Sequence, residues 1–192
     1  MSMRPDGSIS AAPSAPEGDG PSNDTGSSLH LRSARPDDAE AIRDIYNLEV
    51  TTSTVTFDLE PRSLEAQREW LAARSGAYSA VVAVDASTDE VVGFGSLSKY
   101  KDRPAYATSV EDSVYVRRDQ QGRGIGRLLL GELLATAEKT GFHAVFARIV
   151  GGHEASIRLH RSCGFEEVGV EREVGRKFGR WLDVVIMERL LR

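Results

Sequence analysis

The sequence predicts a mixed α/β domain, on three observations. Segments with apolar residues at helical spacing alternate with β-rich runs, without internal repeat, which is the order expected when helices pack on a sheet. Two successive β-rich runs, residues 80–84 and 91–97, are joined by Asp85-Ala86-Ser87-Thr88-Asp89-Glu90, a hairpin signal that starts the sheet antiparallel. A later strand runs through a glycine-rich turn into a long amphipathic helix. With 192 residues, the chain is one domain, or one domain with a tail, and can bury a sizeable core.

Residues 1–28 read as the tail. They hold 7 Ser, 4 Gly and 4 Pro and no aromatic residue, so they are expected to be disordered, with neither an export signal nor a cleavage site. The domain is expected over residues 29–192. A short strand spans 29–32, and Arg35-Pro36-Asp37-Asp38 starts a helix whose acids favour its N-terminal dipole, with Ile42, Ile45 and Tyr46 on its apolar stripe. A second helix begins at Ser63 and buries Leu64, Trp70 and Leu71. The hairpin follows, then an irregular loop over 98–108 and a strand over 111–116. The long helix covers about 124–139, with Ile125, Leu129, Leu133 and Ala137 inward. A strand at 144–149, a helix at 154–163 and closing strands at 165–174 and 182–188, joined through 175–181, complete the chain.

Composition excludes several functions. Hydrophobic residues make up 40% and charged residues 28%, and no apolar run is long enough to cross a bilayer. The formal net charge of -5 argues against nucleic acid and anionic membrane as partners, since both attract a basic face. Cys163 is the single cysteine, so no internal disulfide forms, and the four histidines lack ligand spacing with it. No metal is expected, and a cytoplasmic setting is.

The chemistry concentrates in Gln121-Gly122-Arg123-Gly124-Ile125-Gly126, between a strand and a helix. Glycines let a ligand approach the backbone, first-turn amides lack intrahelical partners, and the helix dipole favours an anion, so a pyrophosphate fits. Arg123 adds a candidate charge-assisted contact. The spacing is G-x-G-x-G with Arg127 following, which matches neither the dinucleotide fingerprint nor the P-loop. A helix start whose glycines only permit tight packing is the plainer alternative.

This stretch resembles the Q/R-x-x-G-x-G/A acyl-CoA signature of the GNAT superfamily of N-acetyltransferases. More specifically, the chain resembles the phosphinothricin and methionine sulfone acetyltransferase group, through Thr52-Ser53-Thr54-Val55-Thr56-Phe57, Arg103-Pro104-Ala105-Tyr106, Val110-Glu111-Asp112-Ser113-Val114-Tyr115-Val116, Ala155-Ser156-Ile157-Arg158-Leu159-His160 and the stretch 175–184. The resemblance implies a GNAT fold, a mostly antiparallel sheet that splays open, with acetyl-CoA as co-substrate. It places the pantetheine arm along Val114, Tyr115 and Val116, and the pyrophosphate on Gln121, Gly122, Arg123, Gly124, Ile125, Gly126 and Arg127. His153 and Ser156 complete the cofactor site; His153 stands where the group has an asparagine, and an imidazole cannot reproduce both hydrogen bonds of an amide.

The resemblance also implies Glu111 as the general base and His160 as the group beside the departing thiolate, as a proton donor or as a packing residue. Phe57, Arg103, Tyr106 and Lys177 are the expected acceptor-binding residues, with Arg103 foremost. Cys163, at a helix end with no base placed for it, reads as a small core residue. The implied activity is N-acetylation of a small amino-acid-like amine within a ternary complex, by a homodimer. A non-catalytic acyl-CoA sensing module and an acetyltransferase acting on a protein or peptide amine are the alternatives.

Overall fold

Strand alternation builds the molecule from the sheet outward. In the computed structural model, which describes residues 29–191, seven strands form one sheet in the order β1-β2-β3-β4-β5-β7-β6. The strands are β1 (Leu29–Ser33), β2 (Ala80–Asp85), β3 (Glu90–Lys99), β4 (Ser109–Val116), β5 (Ala144–Val150), β6 (Glu166–Lys177) and β7 (Arg180–Leu190). The tail expected over residues 1–28 lies outside the described residues. No described helix is long and apolar enough to cross a membrane.

Helices cover both faces. Helices α1 (Ala39–Thr52) and α2 (Leu64–Ala72) pack on one side, where Ile42, Ile45 and Tyr46 meet Val82, Val84 and Phe94. Helices α3 (Ile125–Lys139) and α4 (Glu154–Ser162) pack on the other, where Leu129, Leu130 and Leu133 meet Val92, Val145 and Met187. β2 is buried along its whole length because it has helices on both faces. The Ser63 hydroxyl caps α2 by accepting from the Ala66 amide at 3.0 Å, as the sequence predicts.

Every neighbouring pair is antiparallel except β4 and β5, which the α3 crossover makes parallel. That pairing covers only Ser109↔Ala144, Val110↔Val145 and Glu111↔Phe146. Beyond Glu111 the strands diverge, while β4 stays paired with β3 as far as Gly93↔Val116. The sheet is therefore splayed at its middle.

The expected connection over 175–181 is corrected to a hairpin of two residues. Phe178 and Gly179 have φ of 49° and 75°, the left-handed pair that a tight turn between twisted strands requires, so β6 and β7 run on to Lys177 and from Arg180. A bulge between Glu171 and Gly175 breaks the alternation just before the end of β6, the part beyond the strand expected over 165–174. β4 likewise begins two residues earlier than expected, at Ser109, and the loop over 98–108 contains the end of β3 and a short turn at Pro104–Tyr106.

Candidate functional site

The divergence of β4 and β5 opens a cavity of about 540 Å3 at the centre of the sheet. Glu111, Val114, Tyr115 and Val116 contribute its β4 wall; Arg148 and Ile149 come from β5; His153, Ser156 and His160 come from α4 and its N-terminus; and Phe57 and Gln121 also line it. Residues from distant parts of the sequence meet here because β4 turns into α3, which returns the chain to β5 and α4.

Glu111 is the last residue of β4 paired to both neighbours, opposite Ser98 of β3 and Phe146 of β5. Burial pushes its carboxyl above the usual range, Arg148 opposes that, and the charges of Asp112 and Glu171 reinforce it. A carboxylate poised in this way is suited to accept a proton near neutral pH.

Asp112, the next residue, points to the opposite face, where its Oδ2 lies 3.0 Å from His160 Nε2. His160 Nδ1 lies 2.8 Å from Ser156 O. Both ring nitrogens thus face acceptors, and a doubly protonated ring donates to both. Burial works to lower the His160 pKa, but the Asp112 hydrogen bond and charge and the Ser156 carbonyl outweigh it, so the net shift is upward. Asp112 Oδ1 is buried without a partner among the described residues. At His153, the N-cap position just ahead of α4, burial lowers the imidazole pKa while Glu49 acts the other way.

At the other end lies the glycine turn. Gly122 and Gly124 have φ of 80° and 79°, and a Cβ at either would meet nothing within 4 Å. Their backbone conformation requires glycine, while the space outside them is open, which makes a cradle for a ligand at the helix N-terminus. The Arg127 and Leu128 amides bond to Gly124 O at 3.0 and 3.1 Å, so the amides ahead of them stand at the open end of α3. Gly126 lets α3 approach Leu159 of α4, since a Cβ there would lie 3.1 Å from Leu159 Cδ2. Ile125 is 1% exposed, with its side chain in the core beneath α3. Arg123 is turned toward Gln120, with Asp85 at 3.7 Å.

The other expected site residues are dispersed. Phe57 lines the cavity and lies against Gly175, where a Cβ would come within 2.4 Å of its ring. Arg103 is exposed and Tyr106 packs edge-on against Tyr100 at 5.7 Å; neither lines the cavity. Lys177 does not line it either. It is 3% exposed, its ammonium donates to Thr56 O at 2.8 Å, and burial lowers its pKa, so its charge holds the loop that carries Phe57. The Tyr115 ring stacks on Phe94 at 5.2 Å, and burial raises its pKa.

Sequence reasoning missed several lining residues, Glu49, Asp112, Arg118 and Arg148 among them. Arg118 donates to Glu49 at 2.7 and 3.0 Å and to Thr52 Oγ1 at 2.7 Å, tying the glycine turn to α1. No local pattern signals that pair. Asp112 was visible only as the neighbour of Glu111. Arg148 had a signal, as a charged residue inside the otherwise apolar run Ala144-Val145-Phe146-Ala147-Arg148-Ile149-Val150.

Residues 31–186 match the family described as acetyltransferase (GNAT) domain. The chain is 43% identical over 165 residues to a phosphinothricin N-acetyltransferase of Streptomyces coelicolor, covering 85% of this chain and 96% of that one. It is 40% identical to an L-methionine sulfoximine/L-methionine sulfone acetyltransferase of Pseudomonas paraeruginosa, covering 84% and 94%. The crystal structure of a GNAT superfamily phosphinothricin acetyltransferase from Sinorhizobium meliloti in complex with AcCoA superposes with a TM-score of 0.81 at 37% identity, covering 85% and 88%. A splayed sheet, a glycine cradle opening a helix and matches over nearly the whole described chain agree: this protein belongs to the GNAT acetyltransferase family.

Proposed function

We propose that this protein transfers the acetyl group of acetyl-CoA to the amino group of a small amino-acid-like acceptor, of the phosphinothricin, methionine sulfone or methionine sulfoximine type, with both reactants bound together. The observation that carries the proposal is Glu111, a carboxylate with a raised pKa at the fork of the splayed strands and on the wall of the cavity. The names of the relatives support the acceptor class.

Acetyl-CoA supplies the activated acyl group. The β4 edge beyond Glu111, unpaired with β5, supports docking of an extended pantetheine arm as a substitute strand. The amides from Gly122 to Gly126 support the pyrophosphate, with Gln121 and Arg127 beside them. Glu111 takes the amine proton, directly or through a water, as nitrogen bonds to the acyl carbon and the carbon–sulfur bond breaks. Backbone amides near Val114 polarise the carbonyl. A thiol pKa of about 8.5 makes the thiolate a tolerable leaving group near neutral pH. His160 serves the leaving side from the cavity wall; to give up a proton it must break its bond to Asp112 or to Ser156.

The active form is a homodimer in a reducing, cytoplasmic setting. Trp181 and Phe178, 60% and 58% exposed on the edge hairpin, support a second copy covering that edge, and the lone cysteine supports the setting. Sedimentation analysis reads the oligomer directly, with a monomeric mass at working concentration as the contrary result.

The test is thiol release from acetyl-CoA against phosphinothricin, methionine sulfone, methionine sulfoximine, ordinary amino acids and a peptide, with a no-acceptor control. Release that depends on a small amino-acid acceptor is expected. Binding of acetyl-CoA without release for any acceptor favours a sensing module instead, and release with the peptide alone favours a protein acceptor.

A further inference from the structure

The charge that faces Glu111 across the gap is Arg148. β5 alternates, so Val145, Ala147 and Ile149 enter the core under α3, while Phe146 and Arg148 project from the opposite face. Glu111 shares that face, because it pairs in register with Phe146. Immediately past this pair the strands separate, and Arg148 stands on the cavity wall. Among the described lysines and arginines, only Arg118 and Arg148 line the cavity, and Arg118 is engaged by Glu49 and Thr52 at the glycine-turn end.

Arg148 is held in a form that mimics a ligand. Its Nη1 donates to Glu171 Oε1 at 3.0 Å and its Nη2 donates to Glu171 Oε2, so a carboxylate already occupies both arms of the fork. The two side chains are 31% and 36% exposed, so water reaches the pair and exchange for another carboxylate costs little. In an α-amino acid a single carbon separates the amine from the carboxylate, so a cation beside the base suits that geometry.

We propose that Arg148 is the residue that recognises the carboxylate of the acceptor, displacing Glu171. The inference rests on the acetyl-transfer proposal and deepens it by assigning a specificity-determining residue. The acceptor amine faces Glu111 while its carboxylate takes the Arg148 fork. Glu171 shields that fork until the acceptor arrives.

The test is steady-state kinetics on the full chain with methionine sulfone and with its carboxamide, comparing the wild type with Arg148→Gln, Arg148→Lys and Glu171→Gln. Arg148→Gln is expected to raise the KM for methionine sulfone at least tenfold, to leave the acetyl-CoA KM within twofold, and to erase the preference for carboxylate over carboxamide. Arg148→Lys keeps charge without the fork and falls between, and Glu171→Gln lowers the methionine sulfone KM. Wild-type transfer combined with an unchanged preference in Arg148→Gln overturns this inference alone. No acceptor-dependent transfer by the wild type overturns the acetyl-transfer proposal, and this inference with it. If Arg148→Gln misfolds, seen as lost acetyl-CoA binding, an unchanged methionine sulfone KM in both Arg148→Lys and Glu171→Gln overturns the inference.

Discussion

His160 is 4% exposed with acceptors at both ring nitrogens, and its pKa is raised. Its contribution to stability is therefore fully present below the unfolded value of about 6.5 and is lost as pH rises through the folded value. Asp112→Asn removes the charge that holds the imidazolium. Urea denaturation at pH 6 should show a loss of about 3 kcal/mol, and the fall in stability between pH 6 and pH 9 should flatten; an unaltered pH slope would place the proton elsewhere. At Glu111, transfer should rise with pH as the carboxyl ionises, with the acid limb of kcat/KM above the ordinary glutamate value of about 4.3. An acid limb at or below that value would contradict a buried base. Glu111 was legible in the sequence through its motif, but Asp112 as the partner of His160 was not. The two lie 48 positions apart, and no local pattern encodes which face of β4 meets α4.

The start of α3 needs glycine for its backbone, and its interior does not. Gly124→Ala places an L residue at φ 79° and should cost about 1 kcal/mol, although its Cβ meets nothing. Gly131 lies within α3 with equally open space and no positive φ, so Gly131→Ala should gain about 1 kcal/mol. Paired thermal melts check the sign of each change; a stabilising Gly124→Ala would remove the conformational argument for the turn. Helices α1 to α4 were legible because capping and apolar spacing act locally, as at Ser63. The β6–β7 turn was not. Phe178 adopts a left-handed conformation that its residue type does not advertise, and the bulge near Glu173 breaks the alternation that marks a strand.

Across the whole molecule, one short parallel pairing decides where the site forms. Three register pairs join β4 to β5, and the gap beyond them brings together the glycine turn, the base and α4. Those β4 amides beyond Glu111 that face the gap have no β5 partner, so hydrogen exchange there should be fast and should slow when acetyl-CoA is added, while residues 109–111 change little. Protection confined to other strands would place the ligand elsewhere. The mixed α/β class was legible from the alternation of elements. The splay itself was expected only through family resemblance, because pairing between strands separated by α3 is a tertiary property that periodicity does not carry. The acceptor end was least legible: Lys177 holds the Thr56 loop and Arg103 stands outside the cavity, whereas Arg148 comes from a strand that composition alone assigns to the core.

The most direct measurement is turnover of Glu111→Gln with saturating acetyl-CoA and methionine sulfone, alongside its acetyl-CoA dissociation constant. Loss of the base should lower turnover about a hundredfold or more while leaving acetyl-CoA affinity near that of the wild type. Turnover equal to the wild type would contradict the assignment of Glu111 as the base at the fork of the splayed strands.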